Sequence, residues 1–269
     1  RGRPPATLRL AVWGRTAPRL ACLSARLRGE GALTPAQEGS HRLLMDGLDE
    51  ASALADAYVK ENSLTALYDA VLIPVVSAAE MDHRREALDN EQRVAVEQGV
   101  RDIVEDFGER PVPESKKDAD QLVAESVPVA PLPALDCRLY CLPARAERDE
   151  IAGRMLAQIM ETAGAQVQNG PARLSAGELI ELTAAAEVDA VCISVVAPST
   201  VIHARYLPSN LRTRLTNIKI VVGLWGATEN LTEAAQHPRH AGGGDVVTTL
   251  PDARVPPPHL LPPCEDDIP

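Results

Sequence analysis

Apolar residues recur at helical spacing through the first half of the chain, and the period changes near residue 135. Leu64, Leu67, Val71, Val75 and Ala78 form one stripe, and Val96, Val100 and Ile103 form another that stops at Gly108. Thr34-Pro35 with Glu38 nearby reads as a helix start, and that helix closes at Gly47. A second helix opens on the acids Asp49 and Glu50 and ends near Ser63. Pro74 lies inside the third helix and is expected to kink it. Residues 34–108 therefore read as a helical bundle cap of four helices with short connections.

From residue 136 the pattern alternates between short β-branched runs and amphipathic helices. "CRLYCL", "AQVQNG", "DAVCISVV", "IKIVVGLWG" and "GGGDVVTTL" read as strands, separated by helical segments. Ser175 caps one of these helices, and Pro208 is expected to bend or interrupt another. The fold class that follows is α/β: a four-helix cap, then a doubly wound, five-stranded, parallel, flavodoxin-like sheet over residues 136–250. Ligands on such sheets bind beyond the carboxyl ends of the strands, which puts the crevice at 143–147, 170–175, 197–200, 223–227 and 248–251. Residues 109–135 are rich in proline and charge and read as a linker. Residues 251–269 are too proline-rich to pack and read as a disordered tail.

Composition sharpens this picture in three ways. The 269 residues are 45% hydrophobic but only 3% aromatic, so the core is aliphatic, as buried parallel strands and helices prefer. The formal net charge is −11, which argues against a nucleic-acid partner. Residues 1–33 oppose that trend with seven Arg and one Glu, the composition either of a disordered edge or of a basic juxtamembrane leader. The five cysteines, at 22, 137, 141, 192 and 264, contain no CxxC pair; Cys137, Cys141 and Cys192 read as small core residues, and a reducing compartment fits best.

A cap, a linker and a flavodoxin-like sheet together resemble the cobalamin-binding module of corrinoid enzymes and light-sensing regulators. The resemblance is carried by "VLIPVVSAAEMDHRREALDNEQ" in the cap, and by "RDEIAG", "CISVVAPST" around Ser194 and "VVGLWGA" in the sheet. It implies a cofactor site made from His83, Glu150, Gly153, Ser194, Gly223, Trp225 and Gly226. The departures from that family's pattern surround one pocket. Its Asp-x-His-x-x-Gly becomes Arg148-Asp149-Glu150-Ile151-Ala152-Gly153, so a carboxylate replaces the imidazole that would reach cobalt. Its Gly-Gly on the fourth strand becomes Gly223-Leu224-Trp225-Gly226, two large side chains where a nucleotide tail needs bare backbone. The aromatic that covers the corrin is replaced by His83, and a Glu-His pair by Arg93-Val94.

A second resemblance covers more of the chain. Gly14-Arg15-Thr16-Ala17-Pro18, the "LTP" cap and Leu43–Ala51 resemble the soluble C-terminal extension of bacterial permeases of the autoinducer-2 exporter family, as do Cys192–Val196, His203–Leu207 and Ile220–Gly226. It implies a regulatory region on the cytoplasmic face of the bacterial inner membrane, a permease domain as partner, and a cobalamin-type module without its cofactor. A small molecule in the cap–sheet crevice stays open as a ligand. A corrinoid sensor lacking a His ligand is the alternative, and an enzyme using Glu150 a weaker one.

The remaining candidates have bland readings beside their functional ones. Glu147, Asp149 and Glu150 either line the crevice or compensate a helix dipole, and the latter pattern is commoner. Asp82-His83-Arg84-Arg85 is a charged hinge or a solvated helix end. His237 and His240 flank Pro238 without an acid or Cys partner, so no metal site is expected. Gly242-Gly243-Gly244 lacks the context of a phosphate loop, and Ser194 and Ser199 lack a triad partner. A phosphoreceiver would need an Asp ending the third strand, which instead ends in Val196-Ala197-Pro198.

Overall fold

The structure, a computed structural model, describes residues 48–110, 137–198, 201–215, 218–226 and 245–254. The expected first cap helix, the leader, the body of the linker, His237, His240, the triple glycine and Ser199 lie outside the described residues.

Three cap helices are described: α1 (Leu48–Glu61), α2 (Leu64–Arg84) and α3 (Asn90–Glu109). Ser63 caps α2 by accepting from the Ala66 N–H, and Asp89 and Gln92 form a reciprocal capping box at α3. Pro74 is expected to kink this helix, and what precedes it is a local widening. Tyr68–Leu72 forms a π turn in which the Ile73 N–H bonds Tyr68 O, five residues back. Proline has no N–H to give and its ring crowds the carbonyl of the preceding turn, so the wider turn accommodates it. By length and composition α2 is apolar enough to cross a membrane, yet Leu67, Tyr68, Val71, Ile73, Val75 and Val76 are buried inside the protein.

The second unit runs β1 (Arg138–Pro143), α4 (Glu147–Thr162), β2 (Gln166–Asn169), α5 (Ala176–Ala185), β3 (Ala190–Val196), α6 (Val201–Arg214), β4 (Lys219–Trp225), β5 (Asp245–Val247) and α7 (Leu250–Arg254). All strand pairs are parallel, in the order β2-β1-β3-β4-β5. This is the doubly wound, flavodoxin-like order expected from the alternating pattern. Three expectations need correction. Helix α6 runs uninterrupted through Pro208. The last strand stops at Val247, because Leu250 turns into α7. Residues 251–254, read as tail, continue this helix instead, and the helix is anchored at its start: the Leu250 side chain is fully buried and its N–H donates to Asp69 Oδ1 of α2 at 2.9 Å.

The period-two alternation of the strands divides the core. Tyr140, Leu142, Val191, Ile193, Val195, Ile220, Val222 and Leu224 face α5 and α6. Leu139, Cys141, Ala190, Cys192, Val196 and Trp225 face α4, and there the apolar cluster continues without a break into the cap. Cap and sheet thus share one core. Leu224 points away from the crevice, so the expectation that two large side chains fill the channel is half right: strand geometry leaves that to Trp225 alone.

Candidate functional site: the cap–sheet seam

Ser194, Gly223 and Trp225 are brought together by register. Ser194 of β3 pairs with Gly223 of β4, and Trp225 lies two residues on, on the same face. The indole folds back across its own strand. A Cβ on Gly223 would lie 2.0 Å from Trp225 Cζ2, so the ring occupies the space that the glycine leaves bare. Its Nε1–H donates to Ser194 Oγ at 2.8 Å, and both side chains are fully buried. The indole's polar edge is satisfied in the same place where its apolar face packs.

Gly153 brings α4 close to this cluster. A Cβ there would stand 3.4 Å from Asn169 Oδ1, 3.5 Å from Cys141 Cβ and 3.9 Å from Ser194 Cβ, ordinary packing contacts. Cys141 and Cys192 lie side by side across β1 and β3, buried and reduced, and the Cys141 thiol is raised well above its ordinary value by its hydrogen bond with Cys192 and by burial. They are inert core residues, as expected. Gly226 ends β4 with φ +69°, a left-handed conformation that favours glycine, and a Cβ on it would meet Ile73 of the cap at 3.3 Å. The cap therefore touches the carboxyl end of β4 directly.

Glu150 is committed elsewhere. Its Oε1 accepts from Arg101 of α3 at 3.0 Å and from Arg154 at 3.1 Å, and its Oε2 accepts from the Ala172 N–H at 2.7 Å. Arg101 also pairs with Glu147, and Arg154 with Glu105 of α3. Burial alone would raise the Glu150 carboxyl, but the Ala172 N–H, Arg101 and Arg154 outweigh it and hold the group below its ordinary value. A lowered folded value contributes stability above the ordinary range of about 4.3 and loses it as pH falls through the lowered value. A urea-midpoint profile should therefore show Glu150→Gln converging on the wild type below about pH 4. Asp149 and Glu97 have the opposite sign. Burial raises both, so their contribution is complete at low pH and fades as pH climbs from the ordinary carboxylate range through their raised values.

Asp149, which the sequence offers as a crevice acid or a dipole-compensating one, is a structural tie. It is almost fully buried; Oδ1 accepts from the Val196 N–H at 2.8 Å, and Oδ2 accepts from the N–H groups of Ala146 at 2.9 Å and Arg145 at 3.1 Å. It holds the turn after β1 against the end of β3. His83, expected over the crevice, instead closes the α2–α3 turn: its half-buried ring donates from Nδ1 to Leu88 O at 3.1 Å. The following Arg84 and Arg85 are exposed, as a solvated helix end requires.

The seam holds one group of residues that sequence reasoning missed. Arg148, in the first turn of α4, donates from Nη1 to Glu80 Oε2 of α2 at 3.0 Å and lies 3.9 Å from Glu97 Oε1 of α3. Glu80 is also held by Arg84 at 2.8 Å, and Glu97 by Arg93 at 2.6 Å, each pair four residues apart on one helix. Only those i, i+4 pairs were visible in the sequence; their convergence on Arg148 is tertiary. Among the described residues no group of three metal-ligating side chains exists.

The arrangement does not fit a corrin. At the position that the sequence resemblance assigns to the imidazole stands a carboxylate already bound to two guanidinium groups and a backbone N–H, and on the strand where it calls for bare backbone stands the indole. No family model matches the chain, and no curated protein does. Among solved structures it is similar to a novel cobalamin-binding protein from Desulfitobacterium hafniense, at 12% identity and TM-score 0.37, covering 82% of this chain and 93% of that one. It is also similar to the methanol:cobalamin methyltransferase complex of Methanosarcina barkeri, at 12% identity and TM-score 0.35, covering 94% and 91%. Likeness this faint carries no chemistry from those proteins to this one.

Proposed function

We propose that this chain is a non-catalytic regulatory or interaction region, in which a helical cap and a cobalamin-domain-like sheet dock directly on each other without a corrin. The observation that carries this reading is the buried Trp225 indole, lying across Gly223 with its N–H on Ser194. The seam is closed by matched charges from both sides: Arg101 with Glu147 and Glu150, Arg154 with Glu105, and Arg148 with Glu80. Gln158 of α4 adds neutral contacts, donating to Val104 O at 2.8 Å and accepting from the Tyr68 hydroxyl. Function would then be mechanical: whatever binds one docked face better than the other shifts the balance between closed and open seams.

A non-catalytic role is supported by the crevice acids themselves. Asp149 is spent on three backbone N–H groups and Glu150 on two guanidinium groups and one backbone N–H, which leaves neither poised as an acid or base. The host we propose is a bacterial membrane permease, with this region at the cytoplasmic face of the inner membrane. That part rests on the basic leader and on the exporter-like motifs of the sequence.

Two measurements test the reading. Purified chain incubated with hydroxocobalamin and desalted should elute colourless; a protein peak that carries the corrinoid's visible absorption overturns it. The native gene product should fractionate with inner membranes, with this region cleaved by added protease in inverted vesicles only. A wholly soluble product removes the permease from the proposal.

A further inference from the structure

The seam contains a site that the docking reading alone does not explain. Glu80 and Glu97 come from different helices, yet each uses one oxygen for an arginine of its own helix and turns the other toward the same point. Glu80 Oε1 is taken by Arg84 and Glu97 Oε2 by Arg93, leaving Glu80 Oε2 and Glu97 Oε1 on the sheet side. The own-helix pairs fix both carboxylates before anything enters between them, which lowers the ordering cost for a guest.

The guest present is Arg148, and it fills the site incompletely. Its Nη1 bonds Glu80, but the 3.9 Å to Glu97 Oε1 is too long for a hydrogen bond. Glu97 Oε1 accepts no hydrogen bond although the Glu97 side chain is only 6% exposed. A buried acceptor left unsatisfied is costly, so the pair has capacity that Arg148 does not use. One contribution opposes Arg148 amid these acids. The residue stands in the first turn of α4, at the positive end of the helix dipole, where a cation is disfavoured. Buried ion pairs lie close to balance between desolvation and attraction, so an incomplete one is open to competition by a better-fitting cation.

We propose that Glu80 and Glu97 form a binding site for an alkylguanidinium group, occupied in cis by Arg148 when cap and sheet are docked. A planar guanidinium free of the α4 backbone can settle within hydrogen-bond distance of both carboxylates, whereas Arg148 Nη1 bonds Glu80 and stays 3.9 Å from Glu97 Oε1. The ligand is a small alkylguanidinium compound or the arginine side chain of a partner peptide. Binding expels Arg148 from the clasp and loosens the first turn of α4 from the cap. This deepens the regulatory reading above and rests on it, since it names the chemistry that would shift the docked state.

The test uses the whole chain and n-propylguanidinium as probe, with tetramethylammonium as a cation that has no N–H to donate. In Arg148→Ala the clasp is vacated, and propylguanidinium should raise the thermal midpoint where tetramethylammonium does not. If Arg148→Ala alone does not fold, propylguanidinium should restore its circular dichroism. In Arg148→Ala/Glu97→Gln the response should need about tenfold more probe, the loss of one charge-assisted hydrogen bond. In the wild-type chain the probe should speed amide exchange at 148–151 and leave α5 unchanged. Repeating the titration with a short arginyl peptide separates the two sources: a peptide that matches the small probe identifies a partner side chain, and one that fails identifies a free ligand. An equal response to tetramethylammonium, an equal response in Arg148→Ala/Glu80→Gln/Glu97→Gln, or unchanged exchange in the wild type overturns the proposal. A chain that fails these tests yet stays colourless with hydroxocobalamin loses the clasp and keeps the docking reading; a chain that retains the corrinoid loses the reading itself.

Discussion

Trp225→Ala should lower the free energy of unfolding by about 3–5 kcal/mol, the range for deleting a fully buried large aromatic side chain. The size of the effect follows from what surrounds the indole. Gly223 offers no side chain beneath it, so that wall of the hole cannot collapse inward, and Ser194 is left with a buried hydroxyl that has lost its donor. Trp225→Phe separates the two contributions. It keeps an aromatic ring over the glycine but removes the N–H, and should cost about 1–2 kcal/mol from the Ser194 bond alone. Gly223→Ala supplies the reciprocal check. Its Cβ would stand 2.0 Å from the ring, so in the wild type it forces the indole to move, at a cost of about 1–3 kcal/mol. In a Trp225→Ala background the same methyl enters a vacated space, and its cost should shrink to near zero or change sign. Urea midpoints of the four proteins give the coupling directly. Additive costs, or a Trp225→Ala penalty below about 1 kcal/mol, would mean that the indole does not fill this space.

The parts of this site that were legible in the sequence are those that strand geometry dictates. Trp225 and Gly223 are two apart on a strand and must share a face, so one bulky residue near one bare one was a readable conflict. The same rule, applied to Leu224, turns it to the opposite core, and grouping it with Trp225 overlooked the period. Gly153 and the parallel sheet were likewise set by local pattern. What the sequence hid is separated along the chain by dozens of residues. Glu80 and Arg148 are 68 positions apart and Asp149 and Val196 are 47 apart; no local pattern announces either contact. His83 was placed over the crevice because a family pattern puts an aromatic there, whereas the short α2–α3 turn supplies a nearer acceptor in Leu88 O. The acids at the start of α4 illustrate the ambiguity best. Three acidic residues at a helix N-terminus satisfy the dipole by composition alone, and only the fold divides them into an exposed one, Glu147, a network one, Glu150, and a backbone tie, Asp149.

Asp149→Ala should be comparably damaging, at about 3–5 kcal/mol. Three N–H groups lose their acceptor together. The Val196 N–H is buried at the end of β3, where nothing replaces the carboxylate, while those of Arg145 and Ala146 lie in a turn that water can reach in part. Asp149→Asn distinguishes the charge from the geometry. The amide oxygen can still accept from Val196, but the amide nitrogen then faces the Ala146 and Arg145 N–H groups, donor against donor, and about 1–3 kcal/mol should be lost. Burial already disfavours the ionised form of this carboxyl, so removing its charge is not where the cost arises. Amide exchange resolves the mechanism residue by residue. In Asp149→Asn the Val196 amide should stay protected and the Ala146 amide should not, whereas in Asp149→Ala both lose protection. Equal loss at both amides in the Asn variant would mean that the side chain acts through its charge on α4, as the dipole reading of the sequence holds, and not as the acceptor that joins β1 to β3.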